Sequence, residues 1–308
     1  MLADKKRVDT FRKAIFETVA EGDIVVDIGT GTGILAFFAL QAGARKVYAL
    51  ESGSVIEVAR RTAEENGFEN RIEFIQEHSM NAVLAERADL IVTETIGCFA
   101  FDENITAVAD DARRRFLKKG GRILPRRLKL WAVAVQFVDR HPWGSIGSEF
   151  YGLAHQHLQD LAANSVFSLK WSELGEVRQL SRPAPLMTID LYECTPLTYP
   201  VRIFADCNLI AEGRFHGLLV YPEIILTNDR RISLLESNAV VSSHWDMTFF
   251  PIRIPVAVCA GETLGGEIAV TAEGGFTWRF SHHSAGKTRT FSHLSLFGHP
   301  SLSHLIPR

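Results

Sequence analysis

The sequence predicts two domains of different class: an open α/β sheet over residues 1–124, then an antiparallel β-barrel or sandwich over residues 125–308. Three observations predict it. The apolar run Ile24-Val25-Val26-Asp27-Ile28 passes directly into Gly29-Thr30-Gly31-Thr32-Gly33 and then into helical spacing, which is how a βαβ unit begins. After Pro125 the helical periodicity largely disappears, and short β-rich runs punctuated by Gly, Pro and Asn-Asp take over. The chain has 308 residues, enough for two separate hydrophobic cores.

The first half reads in order as follows. Residues 1–20 carry Val8, Phe11, Ala14, Ile15 and Val19 on one helical face, and Gly22 ends the helix. Strand 24–28 leads through the glycines to a helix from Ile34 to Ala42, which Gly43 closes. A second strand, Lys46–Leu50, stops on Glu51. A helix over Val55–Asn66, a third strand over Arg71–Ile75 and a fourth over Asp89–Thr93 follow. Ala107–Leu117 has helical spacing, Lys118-Lys119-Gly120-Gly121 reads as a turn, and Arg122-Ile123-Leu124 leads to Pro125.

Seven β-rich runs are expected in the second half, at 128–138, 186–194, 200–207, 214–226, 253–258, 265–271 and 276–281. One segment breaks the pattern. Ala154, Leu158, Leu161 and Ser165 recur at helical intervals, so residues 149–165 are expected to form an amphipathic helix that covers a core or binds a partner.

Composition narrows the function. A net charge of −3 offers no basic surface for nucleic acid or an anionic membrane. The four cysteines are dispersed without a CxxC pair, which argues for free thiols and against a disulfide framework or a zinc site. The start has no apolar signal core and no apolar run is long enough to span a bilayer, so the expectation is a cytoplasmic protein. His282, His283, His293, His299 and His304 lack nearby acids or cysteines and read as surface and strand residues, not metal ligands.

Two stretches carry the candidate chemistry. In Thr93-Glu94-Thr95-Ile96-Gly97-Cys98-Phe99-Ala100-Phe101-Asp102-Glu103, two carboxylates stand at the ends of a turn built on Gly97. If the turn doubles back, both acids face one volume and favour a cation; if not, they are two solvated glutamates. In the glycine loop, Asp27 lies two residues before the first glycine. A carboxylate there repels a phosphate and suits a ligand bearing an ammonium group, while the glycines let backbone approach the ligand closely. Glu51, at the tip of the second strand, is placed to accept hydrogen bonds from ribose hydroxyls. A Rossmann-type turn that binds NAD is the competing reading of the same residues.

Asp27-Ile-Gly-Thr-Gly-Thr-Gly resembles motif I of the class I S-adenosylmethionine-dependent methyltransferases, a Rossmann-like fold. The loop runs on as Gly33-Ile-Leu-Ala-Phe-Phe-Ala-Leu-Gln-Ala-Gly-Ala-Arg-Lys-Val47, and with Glu94, Gly97 and Glu103, with Ser243-His244-Trp245, and with Met1-Leu-Ala-Asp-Lys-Lys-Arg7 it is similar to the protein arginine methyltransferase family. The resemblance covers nearly the whole chain, strongly in the first domain and patchily in the second. It implies methyl transfer from S-adenosyl-L-methionine, with S-adenosyl-L-homocysteine as product, to a guanidinium nitrogen. By resemblance, Glu94 and Glu103 orient the guanidinium, and His244, paired with Asp4, accepts a proton late. Arg7 holds the methionine carboxylate and steadies the glutamate loop. Asp27, Gly29, Gly31 and Gly33 cradle the methionine part, Glu51 binds the ribose, and Ser79 and Met80 lie at the adenine. Thr30, Ile34, Leu35, Ser52 and Glu94 complete the donor-binding set. Residues 149–165 become a helical arm that pairs two copies as a homodimer. Read without the resemblance, Asp4 is a helix cap, Arg7 a surface charge and His244 a hydrogen-bonded loop residue.

The sequence departs from the family pattern at several points. An aromatic, Tyr-rich segment upstream of the first helix is expected to be missing, since the sequence starts at Met1 inside the matched helix. Thr95 and Cys98 stand where bulky aromatics are usual, Met80 where an acid faces the adenine amino group, and Ile105 where methionine is common. Asp246-Met247 replaces a basic-Gln pair. The expected acceptor is arginine in a protein or peptide. Free arginine or another small cationic metabolite is the alternative, and a catalytically weak cofactor-binding scaffold is the third reading.

Overall fold

A computed structural model describes residues 2–138, 149–170, 174–234, 245–272 and 274–294; of Phe150, Gln156 and Leu294 only the backbone is described. The chain divides into two compact units. The first comprises residues 1–128, 189–196 and 223–244, the second 129–188, 197–222 and 245–308.

The first unit opens with α1 (Lys5–Thr18), capped by Asp4, whose carboxylate accepts the Arg7 amide at 3.2 Å. Its buried stripe is Arg7, Thr10, Phe11, Ala14 and Ile15, whereas Val8 and Val19 are only half-buried. The core-facing side therefore begins with polar residues, and Arg7 is no surface charge: it is 2 % exposed. Then follow β1 (Ile24–Ile28), α2 (Ile34–Gln41), β2 (Lys46–Leu50), α3 (Ile56–Glu65), β3 (Ile72–Ile75), β4 (Ala88–Thr93), α4 (Ile105–Arg115) and β5 (Leu117–Leu124). The strands form a five-stranded parallel sheet in the order β3-β2-β1-β4-β5. Every residue of β1 is buried, as a central parallel strand covered on both faces requires.

The order matters for function. The chain moves outward from β1 to β2 and β3, then returns to place β4 on the other side of β1. In open α/β sheets ligands bind at the carboxyl ends of the strands beside such a reversal. Ile28 at the end of β1 pairs in register with Thr93 at the end of β4. The glycine loop and the double-glutamate loop thus leave the sheet side by side.

Lys118–Gly121, read from the sequence as a turn, lies within β5. The pairing of β5 with β4 breaks between Ala88–Leu117 and Leu90–Arg122, so the two Lys and two Gly residues form an irregular excursion inside a strand. Gly120 supplies the left-handed φ of +77° it needs.

Arg127–Phe137 forms β6, which begins in the first unit and continues in the second. Next come β7 (Glu149–Phe150), β8 (Leu153–Ala154), α5 (Gln156–Ala163), β9 (Phe167–Leu169), β10 (Val177–Gln179), β11 (Ala184–Asp190), β12 (Val201–Asn208), β13 (Gly213–Ile225) and β14 (Arg231–Ser233). The last four strands are β15 (Met247–Val258), β16 (Thr263–Val270), β17 (Phe276–Ser284) and β18 (Lys287–Leu294). Two sheets dominate: β10-β6-β13-β15-β9, with β11 on β6 and β14 on β13, and the antiparallel β12-β16-β17-β18. Phe215–Phe280, Phe250–Phe276 and Phe250–Trp278 meet edge-on at 5.4–5.6 Å between ring centroids, joining side chains of the two sheets in one core. The Trp278 indole N–H is satisfied by the Pro251 carbonyl at 2.8 Å.

The expected helix at 149–165 is shorter than its periodicity suggests. Residues 149–154 form the β7–β8 hairpin, turned by Tyr151 and Gly152 at φ +53° and +76°, and only 156–163 are helical. Turn geometry, invisible to a hydrophobic pattern, took the first turn and a half. Strands β9, β10, β14 and β18 were absent from the sequence expectation; the first three are three residues long, too short to show alternation, and β18 is largely polar.

Candidate active site

The glycine loop follows β1 immediately. Gly29, Gly31 and Gly33 have φ of +71°, +53° and +85°, conformations that side-chain-bearing residues adopt only with strain. A Cβ on Gly33 would sit 2.7 Å from the Phe37 ring, whereas one on Gly31 would meet nothing within 4 Å. Gly33 is thus needed for helix packing, and Gly31 presents its backbone to open space. The Gly29 and Thr30 amides donate to Leu50 at 2.8 and 2.9 Å, pinning the loop to the tip of β2. Ile34 and Leu35 start α2, with Leu35 buried.

Asp27 is 1 % exposed. One carboxylate oxygen accepts the Thr30 hydroxyl at 2.6 Å and the Ala36 amide at 3.1 Å. The other, Oδ1, is buried without a hydrogen-bond partner among the described residues. Burial pushes the Asp27 carboxyl up to about 6, against the two hydrogen bonds, and Glu51 adds to the rise. Glu51 accepts the Gly31 amide at 3.1 Å and the Gly53 amide at 2.8 Å, with Ser52 exposed between them. An orphaned buried anion, an open glycine face and a carboxylate at the tip of β2 fit a ligand that carries both an ammonium group and a ribose diol.

The loop after β3 holds the other two donor-site candidates. Ser79 is buried and Met80 exposed. Arg115, which the sequence reading passed over, ties this loop down. It donates to the carbonyls of Ser79 at 2.6 Å and Ala82 at 2.7 Å, and Asp111 holds its Nε at 2.8 Å.

The double-glutamate loop leaves β4 at Glu94, whose side chain is 10 % exposed. Its Oε2 contacts the Arg7 guanidinium directly, and its Oε1 is buried with no partner among the described residues. Burial pushes Arg7 down to about 10 while Asp4, Glu103 and Cys98 pull the other way, which leaves it charged at neutral pH. Glu103 comes back to the same cation. Burial and the adjacent Asp102 raise its carboxyl above the ordinary range, and Arg7 opposes them, although its surface remains exposed. The turn brings Glu103 within electrostatic reach of the Arg7 that Glu94 contacts, so both acids act on a cation the chain supplies itself.

The loop is built from its own side chains. Phe99 and Phe101, both buried, meet edge-on at 5.4 Å, and the left-handed backbone of Ala100 and Asn104 turns the chain toward α4. Asp4, Arg7, Glu94 and Glu103 are therefore brought to one place. Ser243 and His244 lie outside the described residues. Trp245 is buried, and Asp246 accepts the Ser168 hydroxyl at 2.6 Å within the second unit. Among the described residues no group of three or more His, Cys, Asp or Glu side chains is placed to hold a metal, and no helix is long and apolar enough to cross a membrane.

Residues 12–124 match the family model for ribosomal protein L11 methyltransferase, and residues 127–277 match that for the arginine methyltransferase oligomerization subdomain. A rice (Oryza sativa subsp. japonica) relative named protein arginine N-methyltransferase PRMT10 is 38% identical over 300 residues, covering 86% of this chain and 77% of the relative. A Danio rerio relative named protein arginine N-methyltransferase 6 is 29% identical over 280 residues, covering 88% and 80%. The fold is shared with a Trypanosoma brucei PRMT1 enzyme-prozyme complex with AdoHcy, at TM-score 0.80, 20% identity and coverage of 95% of this chain and 96% of that one. It is shared also with Arabidopsis thaliana protein arginine methyltransferase 10, at TM-score 0.76, 21% identity and 96% of each chain. With a sheet, a glycine loop and an acid loop of the expected kind in one unit, and a relative this similar across most of its length, the chain belongs to the protein arginine N-methyltransferase family.

Proposed function

We propose that this protein transfers a methyl group from S-adenosyl-L-methionine to a guanidinium nitrogen of arginine in a protein or peptide. One observation carries the reading: Glu94 spends one oxygen on Arg7 and keeps the other, buried and unpartnered among the described residues, while Glu103 approaches the same spot. A guanidinium is a planar fork of N–H donors, and two convergent carboxylate edges suit it. When bound, S-adenosyl-L-methionine supplies an electrophilic methyl group on a sulfonium.

The chain's own residues do the rest. With the donor bound, Asp27 Oδ1 would take its ammonium, the backbone of Gly29–Gly33 together with Ile34 and Leu35 would hold the methionine part, and Glu51 and Ser52 would take the ribose. Ser79 and Met80 would border the adenine. Arg7 fixes Glu94, and Asp4 fixes the turn of α1 on which Arg7 stands. Glu94 and Glu103 would accept N–H bonds from the acceptor, draw its positive charge toward themselves and leave the lone pair of one nitrogen available for methylation. His244 takes the released proton.

In this reading residues 1–124 carry the donor machinery and 125–308 form the acceptor domain. The protein works in the cytoplasm as a homodimer gripped through 149–165. The direct test incubates methyl-labelled donor with an arginine-rich peptide, free arginine and a panel of small amines. Labelled methylarginine in the peptide supports the proposal; label only in small molecules, or equal transfer by wild type and Glu94→Gln, overturns it.

A further inference from the structure

We infer that Thr95 is a positioning residue that couples the donor loop to the acceptor loop, its hydroxyl orienting Glu94 and its methyl group fixing Gly29. The inference rests on the methyl-transfer reading above and adds to it a residue that departs from the family's usual aromatic.

The hydrogen bonds around Glu94 form a closed account. The Thr93 hydroxyl donates to the Ile28 carbonyl at 3.0 Å, which uses its single proton. The 2.9 Å contact between the Thr93 and Thr95 hydroxyls must then have Thr95 as donor. The Thr95 amide also reaches Thr93 Oγ1 at 3.4 Å. Thr93 Oγ1 is thereby saturated, with one bond given and two received. Its side chain is 2 % exposed, so it has little water to exchange these bonds for. Glu94 sits between two residues that are both tied to the end of β1, and its carboxylate leaves the backbone in a fixed direction.

The Thr95 methyl faces the other way. A Cβ placed on Gly29 would overlap Thr95 Cγ2, so the methyl occupies the space that the absent side chain leaves. Gly29 is the first glycine of the donor loop, held at φ +71° with its amide on Leu50. A threonine offers one polar and one apolar arm on a single stiff χ1, and here each arm has its own loop. Displacement of either loop is felt by the other through one side chain.

Two conservative variants separate the arms. Thr95→Val keeps the methyl and removes the hydroxyl. Thr95→Ser keeps the hydroxyl and removes the methyl. Each is measured for peptide methylation and, by calorimetry, for affinity toward S-adenosyl-L-homocysteine, with thermal unfolding as the check on folding. Thr95→Val is expected to lower kcat by about 3- to 10-fold, the loss of one part-buried neutral hydrogen bond, with S-adenosyl-L-homocysteine affinity and peptide KM within about twofold. Thr95→Ser is expected to weaken S-adenosyl-L-homocysteine binding by roughly 3-fold or more with kcat at saturation nearly intact. Wild-type kcat in the Val variant together with wild-type affinity in the Ser variant overturns the inference, as does an equal loss of both quantities in both variants. If the wild type methylates no arginine acceptor, the methyl-transfer reading fails, and the Ser variant's binding affinity alone decides whether Thr95 supports the donor loop.

Discussion

The Asp102 carboxylate occupies the space that a side chain on Gly97 would fill, and its Oδ1 accepts the Phe99 amide at 3.2 Å. The turn between the two catalytic candidates is thus closed by an acid that neither of them provides. Gly97→Ala forces Asp102 aside and breaks that hydrogen bond, letting Glu103 drift from Arg7. The expected outcome is a fall in kcat of about tenfold or more, with S-adenosyl-L-homocysteine affinity changed less than about twofold. Steady-state kinetics beside calorimetry checks it; parallel losses in both would mean that the turn also supports the donor site.

Glu94→Gln keeps shape and hydrogen-bonding capacity but removes the charge that faces Arg7 and the acceptor. Transfer should fall by at least about a hundredfold, the scale of removing one preorganised electrostatic contact in an active site. Arg7 is then left buried with a neutral partner, so the thermal midpoint should drop by roughly a few degrees. S-adenosyl-L-homocysteine binding should persist. A variant that unfolds less readily than the wild type would contradict the Arg7–Glu94 pairing.

How much of this was readable beforehand follows the range of the contacts. The unit β1–glycine loop–α2–β2 was legible to within one residue because consecutive residues specify it: four apolar positions around Asp27, three spaced glycines and an apolar helix. The double-glutamate loop was legible as a pattern, and its doubling back was one of two open readings. What decided it, Arg7 from α1, was hidden because an arginine on a helix is ordinarily solvated, and only its place on the same face as Phe11, Ala14 and Ile15 hints otherwise. The link from Thr93 to Ile28 spans 65 residues and depends on strand order, which no local pattern encodes. The hairpin at 149–154 was missed for the opposite reason: its left-handed turn at Tyr151 and Gly152 is local, but the helical spacing of Ala154, Leu158 and Leu161 that starts at its end extends the expected helix back over it.

The raised Asp27 carboxyl makes a prediction with a sign. Its pKa is about 6 folded against an ordinary 3.8, so the folded state binds the extra proton between those values. The contribution of this group to stability is therefore full below about 3.8 and is lost as pH rises through about 6, amounting to about 3 kcal/mol. Asp27→Asn preserves an acceptor for Thr30 and Ala36 without the charge. It should raise the stability of the ligand-free protein at pH 7, with the gain shrinking toward zero near pH 4, as followed by urea unfolding. It should also weaken S-adenosyl-L-homocysteine binding, and should abolish the loss of affinity that the wild type shows as pH falls below about 6. A stability difference independent of pH would show that the Asp27 charge is not responsible.

Glu103 titrates above the ordinary carboxylate range because of burial and Asp102, with Arg7 from α1 opposing. Since the acceptor clamp needs Glu103 ionised, kcat/KM should fall on the acid side along a limb set by this group. Asp102→Asn retains an acceptor for the Phe99 amide and removes the neighbouring charge, so the limb should move to lower pH while the plateau at neutral pH stays within about twofold. A limb that does not move would leave burial as the sole cause of the shift.

The second unit presents Tyr151, Leu153 and Leu158 to solvent across the β7–β8 hairpin and α5. Tyr151 is fully exposed and Leu153 is 62% exposed, an apolar surface from which a lone subunit gains nothing. The proposed homodimer therefore predicts that Leu158→Glu, on the helix surface and away from the core of the second unit, shifts the protein to a monomer in light scattering coupled to gel filtration. Its thermal midpoint at high dilution should match that of the wild type, since only the assembled state is affected. Wild-type protein that is monomeric at micromolar concentration would overturn the homodimer, and a Leu158→Glu variant that remains dimeric would move the assembly surface elsewhere on the chain.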